Sequence, residues 1–266
     1  MKDTLAQLQD QIAARRGALL QEYSEYDLHQ LRVAVRRLRG LLRFEAHPDA
    51  WQLRKEWGFL ISQTNPARDW DTLFARIEEL PEDQQPVGLL SAVERHQQKV
   101  WNDVISALRN AQWEATARRQ QAYTESHIEA ERAPLEKEKS IGEASMRVNL
   151  AWDYAEKHDE PRAWHKLRIA IKDLRYSLDS LSQTEVDEPI ELCKRLQDLL
   201  GSWHDSIIHR DLLKRVDADL AQDEKAAKDA VAELDTDLFA EGMKALKETR
   251  HVMAARQQLL ERARKQ

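Results

Sequence analysis

Two stretches of this chain carry the residue types that could do chemistry: a histidine followed at helical spacing by arginines and lysines. The first runs His29-Gln-Leu-Arg32-Val-Ala-Val-Arg36-Arg-Leu-Arg39. The second runs His165-Lys-Leu-Arg168-Ile-Ala-Ile-Lys172-Asp-Leu-Arg175. On a helical wheel at about 100° per residue, His29, Arg32, Arg36, Arg39 and Arg43 share an arc of roughly 80°. Leu31, Val35, Leu38 and Leu42 fall opposite. His165, Arg168, Lys172 and Arg175 repeat the cationic arc, with Leu167, Ile171, Leu174 and Leu178 as their apolar stripe.

Like charges at these spacings destabilise an isolated helix by a few tenths of a kcal/mol per pair. A solvated helix intersperses acids to avoid that cost. Segment 26–43 holds five Arg against one acid, and segment 161–176 five Lys/Arg against one, although the chain has 47 Asp and Glu. The bias implies a counter-anion from outside. Phosphate suits it, because guanidinium forks bind its oxygens bidentately and a lysine adds a point charge. A protonated histidine donates from both ring nitrogens. The bland alternative is a solvated basic face with histidines that brace a helix, and the matched second copy weighs against it.

The two copies lie 136 residues apart, and Asp69 and Asp205 keep the same offset. The pattern implies two related helical halves, 1–132 and 141–266, facing each other about a pseudo-twofold axis. Their basic helices would line a shared central groove. Arg54 and Lys55, and Lys194 and Arg195, lie on the helices that follow each histidine helix. They extend the basic lining or are ordinary surface charge. Lys166, Arg37 and Arg162 project off the stripe and read as surface residues. Asp69 and Asp205 read as caps of the next helix or partners of the stripe arginines. Trp51, Trp57, Trp70, Trp152, Trp164 and Trp203 read as packing residues.

The elements that must position these groups are all helical. Helical periodicity is nearly continuous and predicts helices over 3–22, 26–45, 49–63, 69–79, 87–120, 141–158, 161–182, 188–201, 205–222 and 225–264. Seven Gly and seven Pro among 266 residues are too few for a sandwich or barrel. No alternating strand is visible, so the fold class is all-α. Stretch 121–140 reads as the boundary between halves. Segment 217–248 is acidic, and 250–266 turns basic.

A formal net charge of −6 argues against a surface devoted to nucleic acid. The single Cys193 excludes an intramolecular disulfide framework and reads as a core residue. The N-terminus lacks an apolar signal-peptide core, and no run of about 18 apolar residues could span a membrane. The expected compartment is the cytoplasm, with no membrane partner.

At these residues the chain resembles the CHAD family, the conserved histidine α-helical domain. Its members carry two helix-rich halves, each with an H-x-x-R-x-x-x-[KR]-x-x-[RL] helix. That pattern stands here as His29/Arg32/Arg36/Arg39 and His165/Arg168/Lys172/Arg175. A following turn of the type L-G-x-x-R/N-D is matched by Leu199-Leu-Gly201-Ser-Trp-His204-Asp205. Ser62-Gln-Thr-Asn65-Pro-Ala-Arg68-Asp69 matches it without the Leu-Gly pair. Asp173 and Asp179 depart from Arg37 and Arg43 of the first copy. The resemblance spans roughly 1–220 and implies paired helical bundles around a basic cavity that binds inorganic polyphosphate, with polyphosphate granules and their proteins as associates. It brings Arg68 and His204 into the site. Without the E-x-E-x-K signature of a triphosphate-tunnel domain, the chain looks like a stand-alone member. The expectation is a non-catalytic binder without cofactor or metal.

Three other functions fit parts of the pattern. His165 with His204-Asp205 resembles the ligand set of a metal-dependent HD phosphohydrolase acting on phosphate polymers or nucleotides. Against that, Arg68 replaces His204 in the first half, and arginine-rich helices repel a divalent cation. His165-Lys-Leu-Arg168 resembles a histidine phosphotransfer helix, which needs neither cations at +7 and +10 nor a second copy. An RNA-binding module would also use phosphate stripes, but aromatics do not interleave with these.

Overall fold

The computed structural model describes residues 2–43, 45, 47–81, 85, 87–127, 134–178, 187–221 and 224–265. Among these the chain is helical, with no strand. The elements are α1 (Lys2–Gln21), α2 (Glu25–Leu42), α3 (Pro48–Ser62), α4 (Asn65–Glu78), α5 (Val87–Leu108), α6 (Gln112–His127), α7 (Pro134–His158), α8 (Pro161–Leu178), α9 (Asp187–Asp219) and α10 (Lys225–Lys265). No helix among the described residues is long and apolar enough to cross a membrane.

The chain divides into two compact units, Met1–Arg132 with Val216–Ala230, and Ala133–Arg215 with Val231–Gln266. Residues 216–230 pack in the first unit, where His96 Nε2 lies 3.0 Å from Asp219 Oδ2. Glu224 also presses on Gly88, whose missing Cβ would sit 2.8 Å from Glu224 Oε1.

The histidine helices form for local reasons that agree with their packing. Ser24 caps α2 by accepting from the Asp27 amide at 3.2 Å. Glu25 and Asp27 add acids where the helix dipole favours them. Leu28, Leu31, Val35, Leu38 and Leu42 of α2 are buried in the first unit's core, against Leu53, Trp57 and Leu60 of α3. In the second unit Asp159 takes a left-handed φ of 45°, and its carboxylate accepts from Trp164 Nε1 at 2.9 Å. Pro161 then opens α8 with its φ already set. Leu167, Ile171, Leu174 and Leu178 are buried with Trp152, Leu200, Trp203 and Cys193. Each core holds an edge-to-face tryptophan pair, Trp57–Trp113 and Trp152–Trp164, both at 5.9 Å between ring centroids.

Several expected boundaries differ. The predicted helix 87–120 breaks after Leu108, because Asn110 Oδ1 captures the Gln112 amide at 2.9 Å and starts a new helix. The expected turn at Gly201 is absent. The helices predicted at 188–201 and 205–222 are one, α9. A single helical glycine costs about 1 kcal/mol relative to alanine, which burial of the surrounding helix outweighs. Asp205 thus lies inside a helix and caps nothing. Asp69 likewise lies inside α4, whose N-cap position is Thr64. Helix α7 starts at Pro134 rather than 141. Asp179 and the end of the predicted helix 161–182 lie outside the described residues.

Helix α10 crosses α9 closely at Gly242. A Cβ there would overlap Ser206 Oγ and lie 3.1 Å from Ser206 Cβ. Ser206 is itself buried and donates to the Trp203 carbonyl at 2.7 Å. Gly242→Val is expected to cost about 1–3 kcal/mol through overpacking. Chemical denaturation with an unchanged midpoint would contradict this close approach.

Candidate functional site

In the first unit, burial of the apolar stripe of α2 leaves the opposite arc graded in exposure. His29 and Arg36 are exposed, whereas Arg32, Arg39 and Arg43 are half-buried. Arg32 is the anchored member. Its Nη1 donates to Thr64 Oγ1 at 2.7 Å and to Asn65 Oδ1 at 2.9 Å, at the start of α4. Its pKa is pushed down to about 10, first by burial and then by the charges of Arg68 and Arg36, while Asp69 opposes them. It remains charged at neutral pH. Arg32, Arg36 and Arg68 therefore form one positive cluster, with Arg68 supplied by α4 and contacting Asp69 at 3.2 Å.

Arg39 takes a different course. Its Nε donates to the Arg54 carbonyl at 3.1 Å, and its guanidinium lies against Gly58 of α3. A Cβ at Gly58 would stand 2.9 Å from Arg39 Nη2. The glycine gives the guanidinium room to lie across the helix. Arg54 is half-buried and Lys55 exposed. Lys55 Nζ sits 3.9 Å from the centroid of the Trp51 ring. Trp51 is 56% exposed, contrary to the expectation that it packs inside.

In the second unit, α8 presents His165, Arg168, Lys172 and Arg175, all half-buried. The His165 ring meets His204 of α9 at 5.0 Å between centroids. Burial pushes the His165 pKa down, and His204, Arg168 and Lys172 add to the effect. His204 Nδ1 lies 3.6 Å from Asp205 Oδ1, too long for a hydrogen bond. The Arg175 guanidinium lies 5.1 Å from the Tyr176 ring. Lys194 and Arg195 are each exposed and paired with an acid, Glu191 and Glu248 respectively. Lys166, Arg37 and Arg162 are exposed as expected.

One feature of the first unit lies outside the expected site residues. The buried Asp71 carboxylate accepts from Tyr23 Oη at 2.7 Å, Trp101 Nε1 at 2.9 Å and Gln97 Nε2 at 3.1 Å. Burial raises the Asp71 pKa even against these donors and the charge of Arg32. The signal was present: Asp71 interrupts the apolar stripe of α4 formed by Ala67, Trp70, Leu73 and Ile77. The position 136 residues further on is Ile207, which is not an acid. Among the described residues, no group of three or more His, Cys, Asp or Glu is placed to hold a metal ion.

The sequence matches the CHAD domain family over residues 3–214. The chain belongs to the CHAD family. Two solved structures share its fold. The CHAD domain from the plant Ricinus communis superposes with a TM-score of 0.69 at 21% identity, covering 95% of this chain and 89% of that one. PptA from Streptomyces chartreusis gives 0.67 at 17% identity, covering 96% and 99%. Comparison with curated proteins finds no match. In this CHAD chain the motif residues of each unit meet across elements: Arg32 and Arg36 of α2 with Arg68 of α4, and His165, Arg168 and Lys172 of α8 with His204 of α9.

The depressed His165 pKa has a consequence for stability. The unfolded chain takes up a proton near the ordinary value of 6.5, which the folded chain resists. Stability attributable to His165 therefore falls as pH drops through that value. His165→Gln removes the liability, so between about pH 7.5 and pH 5.5 its melting temperature should fall less than that of the unaltered protein. Parallel curves would show that His165 is not held in this strained electrostatic position.

Proposed function

We propose that this protein binds inorganic polyphosphate without altering it, through the histidine–arginine faces of its two units. The observation that carries this reading is the crowding of cations, Arg32 with Arg68 and Arg36, and His165 with His204, Arg168 and Lys172: burial first, and these neighbours second, push the pKa values of Arg32 and His165 down. Folding pressed these groups together at a cost, and a polyanion that enters among them relieves it. Polyphosphate carries charge on every unit of a flexible chain. Successive phosphates can thus engage successive cations, and the second contact is intramolecular. Arg36 and Arg68 supply guanidinium forks, Lys172 a point charge, and His29, His165 and His204 ring donors that a phosphate favours in protonated form. Arg39, Arg43 and Arg175 continue the two stripes. Arg54, Lys55, Lys194 and Arg195 contribute long-range attraction. The reading places the protein in the cytoplasm with stored polyphosphate and its granule proteins.

Arg32 is a poor probe, because it also braces Thr64 and Asn65. Arg36 is exposed, and Lys172 projects from the opposite side of α8 to its core stripe. Arg36→Glu with Lys172→Glu should retain the helical circular-dichroism signal. Retention of long-chain polyphosphate at fixed salt should fall at least about tenfold, and the slope of affinity against salt should flatten. A folded double variant that retains polyphosphate as before would contradict the assignment.

The exposed Trp51 with Lys55 stacked on it favours one second reading, a single-stranded RNA surface, since aromatic faces stack bases. Competition between polyphosphate and RNA of equal charge decides between them. The polyphosphate reading requires polyphosphate to displace RNA.

A further inference from the structure

The outer side of α7 carries a row of exposed apolar side chains that nothing in the site uses. Met146 is 59% exposed, Leu150 62% and Tyr154 39%, one helical turn apart. Ile169 of α8, 47% exposed, adds an apolar side chain to the same helical hairpin, and Lys166 of α8 lies 4.8 Å from the Tyr154 ring centroid. Scattered exposed apolar residues need no explanation, but an aligned row over two turns marks an interaction surface.

The charges around this row identify what it fits. Glu143 and Lys157 are both exposed, and each lies seven residues from Leu150. On the helical wheel Glu143, Met146, Leu150, Tyr154 and Lys157 share an arc of about 80°. The row is therefore apolar at its centre, acidic at one end and basic at the other, with equal spacing to each. A foreign helix of either sign would meet one attraction and one repulsion. An antiparallel copy of the same helix meets two attractions. Centred on Leu150, that pairing sets Met146 against Tyr154 of the second copy and Glu143 against Lys157 of the second copy, twice over by symmetry. Self-complementarity of this kind is what a twofold interface requires.

We propose that α7 joins two copies of this chain through an isologous, antiparallel helix pair centred on Leu150. The pairing is independent of polyphosphate binding. In a pair the number of cationic faces doubles, so a long polyanion held by one copy can be held by both. The contact is one helix pair flanked by α8, at the small end of specific interfaces, so the dimer forms and dissociates with concentration.

Sedimentation of the full chain without polyphosphate tests this. Over roughly 5–200 µM the mass should rise from one chain toward two, as a small interface predicts. Leu150→Glu should stay at the mass of one chain throughout. Glu143→Lys faces cation with cation at both ends and should weaken pairing about tenfold or more. Adding Lys157→Glu to that variant restores opposite charges and should recover the original association. All three positions are exposed, and circular dichroism confirms that each variant is folded. A single-chain mass at every concentration, Leu150→Glu associating normally, or failure of the double variant to recover would each overturn the proposal.

Discussion

Crowded positive charge held in place by apolar burial is the constraint on which each unit of this protein depends. The cationic arcs of α2 and α8 would repel themselves apart as isolated helices, at a few tenths of a kcal/mol per like-charged pair. Each buried leucine of the opposite stripe contributes about 1.5–3 kcal/mol. Leu28, Leu31, Leu38 and Leu42 in one helix, and Leu167, Leu174 and Leu178 in the other, therefore decide the matter. The cores hold the helices, and the helices hold the charges closer than solvent would allow.

The two units solve the same problem with different chemistry. In the first, a neutral brace of Thr64 and Asn65 fixes Arg32, and Asp69 beside Arg68 opposes the crowding of the cations. Its anchored member, Arg32, is a guanidinium that stays charged at neutral pH. In the second, His165 and His204 stand among Arg168 and Lys172, and the position 136 residues after Asp71 is Ile207. Burial and these neighbours disfavour the charged form of His165.

The chemistry-bearing helices were legible in the sequence because burial writes a 3.6-residue period into them. The stripes of α2 and α8 and their cationic arcs stand where the wheel puts them. What the sequence hid depends on contacts distant along the chain. Gly201 reads as a break, but packing on both sides carries α9 straight through it. The break at Asn110 has no proline or glycine nearby, only a side-chain amide that captures a backbone donor. The Asp71 network joins residues from Tyr23 to Trp101, which no local pattern connects. Trp51 reads as core by residue type, yet it lies outside, covered by Lys55. Lys194 and Arg195 match the basic lining by position; Glu191 lies three residues from Lys194 along the same helix, but only the fold brings Glu248 to Arg195.

The most direct measurement is the titration of the His165 imidazole by nuclear magnetic resonance, with and without saturating long-chain polyphosphate. Burial and neighbouring cations hold its pKa down in the free protein. Phosphates entering among Arg168, Lys172 and His204 should raise it, with proton uptake on binding below neutral pH. A His165 pKa that stays in place while polyphosphate is bound would contradict the claim that these crowded cations form the anion site.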